Sequence, residues 1–184
     1  KNNETILPVI FYGQNRDMEV LEFNKKIFEY FGIPMNYIEW PFHQAGHGDA
    51  IQYFMNQLLK QPFPDYFWLM ENDSIPLVKD IVDHIYDKVK DKKTIFGIAQ
   101  SSNHKSPNHI YCGPSFLAFS KQLYLELGCP EMHDRIPRSD NTEELCWKAA
   151  ENGYNICLIY PKSFNELTDE ECKQTGAPKS WPLG

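Results

Sequence analysis

The chain has 184 residues, 42% hydrophobic and 14% aromatic, enough apolar material for one sizeable core, so a single domain over 1–184 is the expectation. Its 25 acidic against 18 basic residues give a formal charge of −7, which argues against a nucleic-acid or anionic-membrane surface, since both need a concentrated positive field. No run approaches the ~20 apolar residues of an intrinsic membrane span. The five cysteines (Cys112, Cys129, Cys146, Cys157 and Cys172) are odd in number and lack CxxC or Cys/His spacing, so they read as reduced, mostly buried thiols of a cytoplasmic protein.

Thr5 to Phe11 is apolar and β-branched, and the polar loop Tyr12-Gly13-Gln14-Asn15-Arg16 separates it from an amphipathic run, Asp17 to Phe31. Gly32 and Pro34 stop that helix, and Met35 to Trp40 reads as a second strand. A His- and Gly-rich loop then opens a helix from about Asp49 to Lys60, with Ile51, Phe54, Met55, Leu58 and Leu59 at helical spacing. Tyr66 to Met70 is a third strand, Leu77 to Val89 a third helix, and Thr94 to Ala99 and Ser115 to Phe119 are further strands. Ser120 caps a short helix through Leu127, Asn141 to Asn152 is helical, and Asn155 to Tyr160 is a last buried strand. Strands alternating with helices predict an α/β fold with a mostly parallel central sheet flanked by helices. Ligands of such sheets gather at the carboxyl ends of the strands. Thr175 to Gly184 reads as a flexible tail or lid.

The third strand poses the functional question, because FWLM runs straight into Glu71-Asn72-Asp73. Two acids one residue apart at the ligand edge of a sheet present carboxylate oxygens to a hard cation, Mg²⁺ or Mn²⁺, which in turn neutralises a diphosphate. The plain alternative is a solvated turn. The stretch HGDAIQYFMNQLLKQPFPDYFWLMENDSIPL resembles the nucleotide-sugar-dependent glycosyltransferases of the GT-A (Rossmann-like) fold, whose hallmark is a strand running into DxD or ExD. That resemblance implies Asp73 as the direct metal ligand and Glu71 as a contact to ribose or metal-bound water, with Asn72 between them in the nucleotide-sugar site. It also implies that Glu39, closing the second strand, accepts the imide N–H of uracil, making a UDP-sugar the expected donor.

Tyr12 is placed to stack on a base, and Gln14 or Arg16 to reach base or phosphate; a surface pairing of Arg16 with Asp17 or Glu19 is the alternative. His43 and His47 are four apart but lie in a loop without a third ligand in register, so a zinc site is disfavoured. Asp49 is placed as a helix N-cap, and His47 and Asp49 together suit placement of donor sugar or phosphate. Gly113 permits close approach of a ligand, or marks a plain Gly-Pro turn.

Inverting transfer to a hydroxyl needs a carboxylate on the acceptor side. RIPRSDNTEELCWKAAENGYNI offers Asp140, Glu143 and Glu144 at a helix start, and it is similar to the family's acidic acceptor-side motif. Asp140 is the first choice as base, although helix capping explains the same acids and a retaining enzyme of the same fold is the alternative. The expectation is a metal-dependent hexosyltransferase moving a sugar to a glycan or other hydroxyl acceptor in glycan biosynthesis. A sugar-1-phosphate nucleotidyltransferase and a catalytically silent nucleotide-sugar-binding domain are the rivals.

Overall fold

The computed structural model describes residues 5–13, 18–40, 46–62, 64–102, 109–160 and 170. In chain order the elements are β1 (Ile6–Gly13), α1 (Met18–Phe31), β2 (Asn36–Trp40), α2 (His47–Leu58), β3 (Tyr66–Glu71), α3 (Ile81–Val89), β4 (Thr94–Ser101), β5 (Ile110–Ser120), α4 (Lys121–Glu126), α5 (Glu143–Glu151) and β6 (Asn155–Ile159). The six strands form one sheet in the order β2-β1-β3-β5-β4-β6. Strand β1 is parallel to β2 and β3, and β4 is parallel to β6, whereas β5 is antiparallel to both its neighbours. Five strands therefore share one direction and end at one edge, as the sequence predicts for an α/β sheet of mostly parallel strands.

Alternation along the strands fills both faces. Val9, Phe11, Phe67, Leu69, Leu117 and Phe119 pack with Ile51 and Met55 of α2, Leu123 of α4 and Leu145 of α5. Ile10, Tyr66, Trp68, Met70 and Ala118 turn the other way, onto Phe28 of α1 and Ile85 and Val89 of α3. Burial of a large apolar side chain contributes about 1.5–3 kcal/mol, so β3, with five successive buried residues, anchors both layers.

Several boundaries differ from the sequence reading for identifiable reasons. Helix α3 starts at Ile81 rather than Leu77, because Leu77 and Val78 are exposed and bring no apolar surface to the sheet. Helix α5 starts at Glu143 rather than Asn141, because Thr142 adopts a left-handed backbone, φ 64°, which no α-helix contains. Strand β5 begins at Ile110, so Gly113-Pro114 is no turn before it. Those residues lie where the β4–β5 register jumps, between the pairs Gly97–Leu117 and Ala99–Cys112, and a bulge spares proline its missing ladder bond. Of the cysteines, Cys112 and Cys146 are buried, while Cys129 and Cys157 are only half-buried; all four are free thiols. Cys172 and the 175–184 tail lie outside the described residues. Among the described residues no helix is long and apolar enough to cross a membrane.

Candidate functional site

The carboxyl ends of β1 and β3 and the start of α2 enclose a cleft of about 340 Å³, lined by Phe11, Tyr12, Gly13, Gly46, His47, Glu71, Asn72 and Asp73. Register explains the grouping, since Phe11 lies beside Glu71 on one side of β1 and Tyr12 beside Glu39 on the other. Beyond β3 the chain reverses in a turn closed by Ser74 N–H donating to the Glu71 carbonyl at 3.1 Å. Asn72 and Asp73 are its central residues, which leaves Asp73 exposed at the cleft. The fully buried Asn24 of α1 fixes this turn: its amide donates to the Ser74 carbonyl at 2.7 Å and accepts from the Tyr37 hydroxyl at 2.8 Å.

Glu71 is itself held in place. Ser115, carried into position by the β5 bulge, donates its hydroxyl to Oε2 at 2.6 Å, and His47 Nδ1 stands 3.4 Å from Oε1. His47 also meets Phe11 edge-on, at 6.2 Å between centroids. His47 opens α2, so the positive end of a twelve-residue helix faces the cleft.

Among the described residues no group of three or more His, Cys, Asp or Glu side chains encloses a cation. Two carboxylates one residue apart fit Mg²⁺ or Mn²⁺ all the same, because such ions are typically held by one or two carboxylates with phosphate and water oxygens completing the octahedron. The donor set suits a cation that arrives with a diphosphate, and does not suit tetrahedral zinc.

The second acidic cluster is built differently. Glu143, fully buried, accepts from Ser102 Oγ at 2.8 Å, His109 Nδ1 at 2.6 Å and the Asp140 N–H at 2.7 Å. Glu144 accepts two bonds from the Arg138 guanidinium, at 2.9 and 2.7 Å, and one from Ser139 Oγ at 2.7 Å. Burial pushes the Glu144 carboxyl up, but the Arg138 and Ser139 bonds outweigh it and hold the group below its ordinary value of 4.5. Both glutamates, the reserve candidates for the base, have their carboxylate oxygens engaged by donors of the fold. Asp140, half-buried, takes the Asn141 N–H on Oδ1 at 2.8 Å.

The two clusters approach one another. A β-carbon added to Gly48 of α2 would stand 2.2 Å from Asn141 Oδ1 and 2.6 Å from His133 Cα, so the Asp140–Asn141 turn lies against the start of α2. The Tyr111 hydroxyl, buried and without a hydrogen-bond partner among the described residues, is raised in pKa first by burial and then by the negative charges of Asp140, Glu143 and Glu71.

Of the expected site residues, the cleft brings together Tyr12, His47, Glu71, Asn72 and Asp73, with Glu39 exposed beside Tyr12. Gln14, Arg16 and His43 lie outside the described residues. Asp49 is not the N-cap: Gly46 is, and Asp49 sits three residues on, accepting the Gly46 N–H at 3.2 Å and pairing with Arg135 at 2.5 Å. Gly113 is buried in β5 beneath the Gln100 side chain, which occupies the space of a β-carbon, so the close approach it permits is to Gln100. Sequence reasoning missed Asn24, Ser115, Ser102 and His109. A polar Asn24 on the apolar stripe of α1 was the one available signal.

No family model matches the chain, and no curated protein does. Solved structures are similar in fold. A mannosyltransferase from Pyrobaculum calidifontis, in complex with GDP-Man and Mn²⁺, superposes with TM-score 0.58 at 10% identity over 85% of this chain, which spans only 57% of that one. A glycosyltransferase involved in glycosylation of the major capsid of PBCV-1 superposes with TM-score 0.52 at 11% identity over 92% of this chain and 90% of that one. The chain has the GT-A, Rossmann-like fold of glycosyltransferases.

Proposed function

We propose that the protein is a nucleotide-sugar-dependent glycosyltransferase using a UDP-sugar, Mn²⁺ or Mg²⁺ and a hydroxyl acceptor such as a glycan. The observation that carries this reading is the cleft at the sheet's carboxyl edge, where β3 ends in Glu71 and exposed Asp73 on a fold shared with glycosyltransferases. Asp73 and Glu71 hold the cation, Tyr12 stacks on the base, and Glu39 accepts a base N–H. His47 and the α2 N-terminus face the diphosphate. A cation held by Asp73 and Glu71 would supply Lewis-acid stabilisation of the departing diphosphate.

On the acceptor side, Asp140 takes the proton of the attacking hydroxyl as the new glycosidic bond forms, while the bond from the anomeric carbon to the phosphate oxygen breaks and the nucleoside diphosphate leaves. This is an inverting displacement. Glu39 favours uracil over cytosine, which lacks the N–H; guanine also offers one, so UDP and GDP must be compared directly.

A thermal-shift series with UDP, GDP, CDP and dTDP, each with and without Mn²⁺, tests the reading. UDP with Mn²⁺ is expected to give the largest shift, about 2.7 kcal/mol at 100 Kd. Equal stabilisation in EDTA would count decisively against metal-bridged binding.

A further inference from the structure

Three donors converge on the Glu143 carboxylate, and they come from separate parts of the chain. Ser102 and His109 close the neck of the β4–β5 hairpin, with Ser102 N–H donating to the His109 carbonyl at 2.9 Å. Asp140 begins the turn before α5, and its carbonyl accepts the Glu143 N–H at 3.1 Å, so Asp140 and Glu143 hold each other reciprocally. The His109 ring lies flat on the Trp147 indole, 3.7 Å between centroids and 16° from parallel, which fixes the direction of its Nδ1.

Two costs meet in this turn. A carboxylate with no solvent exposure is strongly disfavoured unless donors surround it. Thr142, β-branched and buried, is held at φ 64° by its hydroxyl on the Cys112 carbonyl at 3.1 Å and its N–H on the Met132 carbonyl at 3.0 Å. Such a conformation is strained for a β-branched residue and persists where the surroundings over-determine it. A helix start needs neither cost, because a solvent-facing cap satisfies the same N–H groups. What the expenditure does secure is the backbone position of Asp140.

We infer that Glu143 and His109 are positioning residues for Asp140. Glu143 grips the Asp140 N–H and His109 holds Glu143 from the other oxygen, so together they set where the Asp140 carboxylate points; Oδ1 takes the Asn141 N–H and Oδ2 is the oxygen that would receive the acceptor proton. This rests on the reading of Asp140 as the acceptor-side base. Misplacing a reacting group by about 1 Å can cost roughly 100-fold in rate, so a rate effect without a binding effect is the signature.

The test measures UDP or GDP release from UDP-glucose, UDP-galactose, UDP-N-acetylglucosamine and GDP-mannose with Mn²⁺, using the full chain. His109→Phe keeps a flat ring but removes the donor, and His109→Asn restores an N–H near the Nδ1 position. His109→Phe is expected to lower kcat about 10–100-fold with the donor KM unchanged, and His109→Asn to recover most of that loss. In an Asp140→Asn background, itself down roughly 10²–10⁴-fold, His109→Phe should subtract nothing further. Additive losses, a rise in KM equal to the fall in kcat, or failure of Asn to rescue a folded protein would overturn the positioning role alone. Full turnover in Asp140→Asn, or an inert wild type across all four donors, would remove the base reading and this inference with it. Should Glu143→Gln fail to fold, the His109 pair still decides.

Discussion

The two acidic clusters use the same residue types to opposite ends. At the end of β3 the carboxylates stay in reach of solvent: Glu71 is 34% exposed and Asp73 projects from a turn. At the start of α5, Glu143 is 0% exposed and Glu144 only 9%, and side chains and backbone of the fold supply the donors around them. Charge held near water remains available to a ligand, whereas charge taken inside is balanced by the fold and does structural work. Proximity of acids in sequence therefore says little about function until their donors are known.

The largest expected effect separates the clusters most sharply. Asp73→Asn should abolish cation-dependent stabilisation by UDP while shifting the stability of the free protein by no more than about 0.5 kcal/mol, as for other exposed positions. Thermal shift with and without Mn²⁺ reads both quantities, and an undiminished UDP response would place the cation elsewhere.

Arg138→Met probes the other cluster and should behave in reverse, with a loss of about 1–3 kcal/mol because Glu144 keeps its burial and loses its bidentate partner. Solvent screening limits the loss, since Arg138 is 40% exposed. Glu144 titrates below its ordinary 4.5 in the folded chain, so the stability it contributes is present above that value and is lost as pH falls through the folded pKa. The melting-temperature gap between wild type and variant should accordingly be wide at pH 7 and narrow below about 4.5. A gap that does not change with pH would show that Arg138 stabilises through its contact with Trp147, 5.4 Å from the ring, instead of through charge.

The smallest effect lies between the clusters. Tyr111→Phe removes a buried hydroxyl that has no partner among the described residues and sits near three carboxylates, so it should leave stability unchanged or raise it by up to about 1 kcal/mol. Urea unfolding decides, and a loss beyond 1 kcal/mol would mean that the hydroxyl is bonded in solution.

What the sequence disclosed and what it hid follow a physical line. Strand β3 and its acidic end were legible because burial, strand length and turn chemistry are all local in the chain. The α2 start was nearly so, with Asp49 misplaced by three residues since capping by a main-chain N–H to an N3 carboxylate reads like an N-cap acid. The roles of Glu143 and Glu144 were illegible. Ser102 and His109 lie 41 and 34 residues away from Glu143, and nothing local to α5 reports their arrival. Gly113-Pro114 misled for the same reason, because a proline inside a strand is tolerated only where the ladder is interrupted, and the β5 bulge shows itself only in the pairing with β4.

The lone antiparallel strand has a consequence for how the molecule comes into being. Strand β5 lies between β3 and β4 in space, yet the ribosome delivers it after both. Until residues 110–120 emerge, β3 and β4 each present an apolar edge with no neighbour, and the Ser115 hydroxyl that steadies Glu71 does not yet exist. A nascent chain stalled before Ile110 would carry the whole acidic strand end but display two sticky ribbons, so the interval before β5 docks is the one in which chaperones matter most to this protein.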